Sequence, residues 1–177
     1  MMLILISCQK EVIKNNSNDQ LISKINSWLE KQKTGLLAFK AANIDLLREN
    51  LEYSNLRVEK STGGDQIIII PISEKFDAQK ISNKNSIPNL VLLLNSSGEI
   101  KKGNVVLFQP KTNGIYTEVP DNTFFDIFNT SKVKCDGRFQ FISVAGHWDY
   151  QLDYSNGSLN SYGFIEAQQD SNGTTRS

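Results

Sequence analysis

From Leu56 onward the apolar residues of this 177-residue chain fall into short runs, each broken after a few positions by Gly, Asn, Ser or Pro. That punctuation leaves no room for long helices, because a helix needs about ten or more residues of uninterrupted 3.6 periodicity and a strand only about four to eight. The runs read as hairpins. Leu56–Lys60 and Gln66–Ile72 flank the turn Ser61-Thr62-Gly63-Gly64, and Leu90–Leu94 and Ile100–Phe108 flank Asn95-Ser96-Ser97-Gly98. Arg138–Val144, Trp148–Tyr154 and Leu159–Glu166 follow, joined by Ala145-Gly146 and Ser155-Asn156-Gly157. Polar loops, Ser73–Ser86 and Pro110–Pro120, separate these units.

Two strands carry more information than the rest. Ile67-Ile68-Ile69-Ile70 has no polar alternation, so this strand is expected to be covered on both faces, with Pro71 ending it or marking an edge. Trp148-Asp149-Tyr150-Gln151-Leu152-Asp153-Tyr154 alternates strictly, which sends one aromatic or apolar row to the core and one polar row to water. The turns at Gly98 and Gly157 each place glycine two positions before an aliphatic strand residue, a shared hairpin chemistry. The unlike segment lengths around them argue against a solenoid.

The N-terminal third has the other period. Leu21, Ile22, Ile25, Trp28 and Leu29 form one helical face within Gln20–Lys33, with Asp19 at the expected N-cap and Gly35 as the break. A second helix is expected over Leu36–Leu51, splitting near Asn43-Ile44-Asp45, with Leu37, Phe39, Ile44, Leu47 and Leu51 inward. Asp121 is placed to cap a short helix through Asn129 that turns Phe124, Phe125 and Phe128 toward the core. Together these elements predict an α+β domain over residues 20–167, in which N-terminal helices pack on one face of a twisted antiparallel sheet of about seven strands. The architecture is similar to cystatin-like helix-on-sheet folds, a likeness that implies no activity.

Ahead of that domain, the apolar run Met1–Ile6 ends at Leu5-Ile6-Ser7-Cys8 and turns hydrophilic at Gln9-Lys10-Glu11. This segment resembles the lipobox of bacterial lipoproteins. The resemblance implies cleavage before Cys8, lipidation of that cysteine, and residues 1–8 as a signal-peptide remnant. No Lys or Arg precedes Cys8, and the apolar stretch is shorter than the usual signal core of roughly 7–15 residues, as a start site placed too far downstream would produce. Gln9–Asp19 is polar and aperiodic and reads as a tether; ten extended residues reach at most about 35 Å. Gln9 is not the Asp of the inner-membrane retention signal, and Gln9-Lys10-Glu11 partly resembles an outer-membrane surface-export tag. The expected location is therefore lipid-anchored at the outer membrane, periplasmic or surface-exposed. The segments Asn50–Val58, Ile67–Ile72 and Gly98–Phe108 look like those of uncharacterised Gram-negative envelope lipoproteins, a resemblance over about two thirds of the chain. Some of those continue into a Cys- and Trp-bearing C-terminal region, whereas residues 168–177 here read as a disordered or truncated tail.

Composition narrows the partners. Lys plus Arg and Asp plus Glu both number 19, and no block of five like charges occurs, so nucleic acid is not an expected partner. No run of 18 apolar residues is present, which leaves lipid on Cys8 as the hold on the membrane. With Cys8 lipidated, Cys135 is the remaining cysteine and reads as a packed apolar residue or as half of a pair with a cysteine outside this sequence. No cofactor and no metal site is implied, because there is no Cys/His cluster, and Asp153–Gly157 evokes a calcium loop only loosely.

Catalytic candidates are few. His147 is the sole histidine and lies at a strand turn without a G-x-S-x-G elbow to serve. Cys135 and His147 flank one hairpin, and Asp149 and Asp153 share a strand face, which offers a Cys-His or a paired-carboxylate arrangement. Gly63-Gly64 lacks the Lys-Ser/Thr of a phosphate loop and reads as a turn. Trp148, Tyr150 and Tyr154 would form a carbohydrate platform only if their row faced outward. The expectation is a non-catalytic binding or interaction module whose ligand is an unidentified envelope protein or extracellular molecule. The alternatives are an exported hydrolase, and an inhibitor presenting Lys111-Thr112-Asn113-Gly114 to an exported protease.

Overall fold

The computed structural model describes residues 7–60, 64–73, 86–111, 119–130 and 132–164, with side chains from residue 18 onward except those of residues 39 and 148. Three helices, α1 (Ser7–Gln32), α2 (Ala38–Glu49) and α3 (Thr123–Asn129), accompany seven strands among the described residues. The strands are β1 (Arg57–Lys60), β2 (Gln66–Pro71), β3 (Ile87–Leu94), β4 (Ile100–Pro110), β5 (Gly137–Ser143), β6 (Trp148–Ser155) and β7 (Ser158–Phe164). Each strand pairs antiparallel with the next, so the sheet is an open meander in sequence order whose two edges are β1 and β7. The fold class is α+β. The hairpin punctuation explains much of the topology: short connections set β1 beside β2, β3 beside β4, and β5, β6 and β7 in succession, and the longer connections from β2 to β3 and from β4 to β5 keep the sequence order. In the tightest connection, Asn156 and Gly157 both adopt positive φ (51° and 70°), the twist that joins β6 to β7 without splaying them.

The tetra-isoleucine run organises the interior. Ile67–Ile70 are all buried, and alternation divides them: Ile68 and Ile70 join one buried cluster, Ile67 and Ile69 another. The first cluster combines Leu90, Leu92, Val105, Leu107 and Ile142 with Ile25 and Leu29 of α1 and Ile44 and Leu47 of α2. The second combines Val91, Val106, Phe108, Phe139, Phe141 and Tyr154 with Phe124 of α3 and with Val119, Val133 and Cys135. Apolar side chains of helices thus contribute to the clusters on both sides of the sheet, whereas the sequence pattern placed helix on one face. β2 is an interior strand, and Pro71 is its last residue, where a missing N–H interrupts least.

Several expected boundaries move. Helix α1 begins at Ser7, so exposed Asp19 lies inside it rather than at its N-cap, and the expected extended tether Gln9–Asp19 is helical. No Pro or Gly occurs between Ser7 and Gln32, and nothing in the chain stops the helix from running past its amphipathic part. Helix α2 does not split at Asn43-Ile44-Asp45: Ile44 is fully buried. Leu37 is exposed rather than inward, because it occupies the N-cap position in extended backbone and lies off the helical face. Of the short-helix aromatics, Phe124 is buried, Phe125 is half-buried and Phe128 stays largely outside. The inward placement expected of Phe39 and the tail 168–177 lie outside the described residues.

Gly103 of β4 shows how closely α1 approaches the sheet. A Cβ at Gly103 would stand 2.4 Å from Trp28 Cη2 and 2.6 Å from Leu92 Cδ2. Gly103→Ala is therefore expected to destabilise the fold by about 1–3 kcal/mol through overpacking, measurable as a lower midpoint in urea unfolding at an unchanged slope.

Candidate functional site

The sequence directs attention to the hairpin β5–β6 and its neighbours. His147 is exposed at the turn after Val144. Its backbone N–H donates to Ser143 Oγ at 3.1 Å, and its Nε2 accepts from Lys40 Nζ of α2 at 2.7 Å. A ring nitrogen that accepts from an ammonium group is not placed to activate a nucleophile, and among the described residues no hydrogen bond joins the ring to a carboxylate or to Cys135. Cys135 belongs to the buried cluster of α3, with its Sγ 4.0 Å from Thr123 Oγ1. Burial pushes that thiol up to about 11, partly offset by Thr123, so it is a packed thiol and not a thiolate nucleophile.

Asp149 and Asp153 are separated by a register shift that the sequence pattern hides. Phe141 pairs with Tyr150 but Ile142 pairs with Trp148, which leaves Asp149 as the extra residue of a bulge. Its carboxylate accepts from Asn104 Nδ2 at 2.6 Å. Asn104 shares its side of β4 with Val106 and Phe108 of the second cluster. Asp153 lies on the opposite face, where it accepts from Arg138 Nε at 3.0 Å, Gln151 Nε2 at 2.9 Å and Ser161 Oγ at 3.3 Å. Arg138 alternates with buried Phe139, which fixes that face. Burial alone would raise the Asp153 carboxyl; these hydrogen bonds outweigh it and hold the group below its ordinary value. Carboxylates on opposite sides of a sheet cannot flank one scissile bond, and the shared-face arrangement expected for Asp149 and Asp153 is corrected accordingly.

The alternating row of β6 divides as its residue types demand. Tyr154 is buried, edge-on to Phe139, and Tyr150 stacks on Phe141 with ring centroids 4.3 Å apart. Burial, then the charge of Asp149, raises the Tyr150 hydroxyl to about 12. The outward aromatics are instead Tyr162 and Phe164 of β7, 69% and 78% exposed. They follow Leu152 and Tyr150 across the sheet in register. Sequence reading missed this feature because its outward search stopped at β6. The available signal was that β7 carries large apolar residues and no charge.

Two other polar groups of the structure are built for architecture. Glu30, Lys33, Asp45 and Arg48 cross-link α1 and α2 at 2.5–3.1 Å along an open groove of about 650 Å³, so Lys33 and Arg48 there already face carboxylates. Glu59 of β1 is buried and accepts the Phe125 N–H of α3 at 2.8 Å, while its Oε1 has no partner. This side chain takes the place of the expected Asp121 cap; the cap position itself is Asn122, in left-handed backbone. Among the described residues no group of three or more His, Cys, Asp or Glu side chains is placed to hold a metal ion. The candidate inhibitory loop Lys111–Gly114 lies outside the described residues except for Lys111, which donates to Ser155 Oγ.

No protein-family model matches the chain, and no significant match exists among curated proteins or solved structures.

Burial, more than the opposing Phe125, Asn122 and Arg57 contributions, raises the Glu59 carboxyl above its ordinary 4.5. The folded chain then holds that proton more tightly than the unfolded chain, so the stabilisation is complete below pH 4.5 and is lost as pH rises through the raised value. Glu59→Gln should flatten this part of the stability-versus-pH curve, and Glu59→Ala should cost about 1 kcal/mol at low pH by leaving the Phe125 N–H without its acceptor, and less as pH rises. Urea titrations across pH 4–8 would measure both. Cys135 should react with a maleimide only at the rate of global unfolding, far slower than in denaturant, as read by mass spectrometry.

Proposed function

We propose that this chain is a lipid-anchored protein of the bacterial cell envelope, and that its α+β body, with the N-terminal helices layered on the sheet, is a non-catalytic binding or interaction module. The observation that carries the anchor is Leu5-Ile6-Ser7-Cys8 at the end of an apolar run, followed at once by polar residues. Acyl chains on Cys8 would hold the protein at the outer membrane, facing the periplasm or the cell surface. Burial of each CH₂ is worth about 0.8 kcal/mol, so two or three chains suffice for stable attachment. Among the described residues no helix is long and apolar enough to cross a membrane, which leaves the lipid as the proposed attachment.

Helix α1 supports a defined stand-off from the bilayer. Cys8 is its second residue, and among its described side chains Leu21 is the first packed against the core. Thirteen residues at 1.5 Å each give a stalk of about 20 Å. The partner is read as an envelope protein or an extracellular ligand, not nucleic acid.

The non-catalytic reading draws on the site geometry. His147 meets a lysine, Asp149 meets Asn104, Asp153 meets Arg138 on the other face, and Cys135 is buried. A hydrolase needs such groups to converge on one reacting atom.

Recovered from the cells that make it, the wild-type protein should partition into detergent and carry a diacylglyceryl-modified Cys8 in its mature N-terminal peptide. Cys8→Ser should move it to the aqueous phase with its far-ultraviolet circular dichroism unchanged. An unmodified Cys8 in the mature protein would overturn the anchor.

A further inference from the structure

The turn that joins β6 to β7 is built from a chemically fragile pair. Asn156 and Gly157 stand at φ 51° and 70°, in the left-handed region that glycine enters freely and asparagine more readily than most residues with a side chain. Close packing demands glycine as well, because a Cβ at position 157 would lie 2.9 Å from the Val133 carbonyl oxygen. The turn therefore selects Asn-Gly, the dipeptide in which the second backbone nitrogen is least shielded from the asparagine side chain. In an open chain that nitrogen attacks Asn156 Cγ. The N–C bond of a five-membered imide forms, the Gly157 N–H proton and the side-chain NH₂ leave as ammonia, and water then opens the ring to aspartate or isoaspartate.

In the fold that nitrogen is engaged. Its N–H donates to Asp136 Oδ1 at 2.9 Å, and the Asn156 N–H donates to the same carboxylate. These two bonds, the Gly157 one first, hold the Asp136 carboxyl below its ordinary value, so it stays ionised at neutral pH. Removing the Gly157 proton there would place an anionic nitrogen against a carboxylate, which like-charge repulsion opposes. The other side of Gly157 is fixed too: its carbonyl accepts the Val133 N–H at 3.0 Å, and Lys132 bridges Ser158. Asn156 itself is exposed, so water reaches it.

We propose that Asn156-Gly157 is a latent site of spontaneous deamidation, that Asp136 keeps it unreactive while the turn is closed, and that opening of the turn converts it irreversibly. The isoaspartate product carries one more backbone methylene between residues 156 and 157. The two adjacent N–H groups then no longer converge on one carboxylate, and the pairing of Ser155 with Ser158 and of Tyr154 with Leu159 loses its register. Among the described residues β7 is held in the sheet by β6 and the Lys132 bridge, so this change releases it. The modification thus records that the hairpin has opened. The inference depends neither on lipidation nor on the proposed binding role.

Peptide mass spectrometry of the full chain during incubation at mildly alkaline pH tests it, with Asn113→Gln and Asn172→Gln removing the other Asn-Gly pairs. Asn156 should convert at least about tenfold more slowly in the native chain than in the chain unfolded in guanidinium chloride, since reaction is confined to the open fraction of the turn. Asp136→Ala, its fold checked by circular dichroism, should raise the native rate toward the unfolded one. Asp136→Asn, which keeps an acceptor and loses the charge, should fall between. Chain converted in guanidinium chloride and refolded should show faster hydrogen exchange in β7 than unconverted chain treated alike. Equal native and unfolded rates in the parent chain overturn the proposal whatever the variants do. A folded Asp136→Ala that converts no faster, or a refolded isoaspartate chain whose β7 amides exchange as slowly as before, overturns it equally.

Discussion

Burial of β2 on both of its faces is the constraint from which the rest of the structure follows. Four consecutive isoleucines cannot be hidden by one layer, because adjacent side chains point to opposite sides of a sheet. Ile68 and Ile70 need cover on one side and Ile67 and Ile69 on the other. Ile25, Leu29, Ile44 and Leu47 of α1 and α2 share the first buried cluster, and Phe124 of α3 shares the second with Val119, Val133 and Cys135. Fully burying a side chain of this size is worth about 1.5–3 kcal/mol, so the run is a large part of what a marginally stable domain has to spare.

Among the described residues, cover on the second side ends before the sheet does. The buried cluster there reaches Tyr154 on β6, and beyond it Tyr162 and Phe164 extend the same row into solvent. The two edges therefore differ for a reason rooted in chain order. β1 is met by the connection that carries Asp121 and α3, whereas the segment after α3 meets only the start of β7, through a bridge between Lys132 and Ser158 and the Val133 N–H on the Gly157 carbonyl. Glu59 is the hinge of that contrast: one carboxylate, costly to bury, fixes α3 to the protected edge.

The candidate catalytic groups show how far a pattern of residue types can be trusted. Strict alternation placed Asp149 and Asp153 on one side, and for Gln151 and Asp153 that parity is right. A bulge at Asp149 then reverses it for the remaining member, sending that carboxylate to Asn104. No residue in Trp148–Tyr154 announces the bulge, since it arises from mismatch between β5 and β6. His147 was legible as a turn residue from Ala145-Gly146, but its contact with Lys40, over a hundred positions away, was not. Cys135 was legible as a packed apolar residue from its place near the start of a strand, but its burial beside Thr123 of α3 was not.

What the amino-acid order determined by itself were properties with a range of a few residues. They include the number of strands, their hairpin connections, the two-sided burial of Ile67–Ile70 and the strong amphipathic face of α1, all set by side-chain period and by turn chemistry. Tertiary structure alone decided which helices contribute to which buried cluster, that Glu59 rather than Asp121 caps α3, and that the aspartates of β6 part company. Each of these depends on a partner distant in sequence or on backbone register between strands, and neither leaves a local periodic trace.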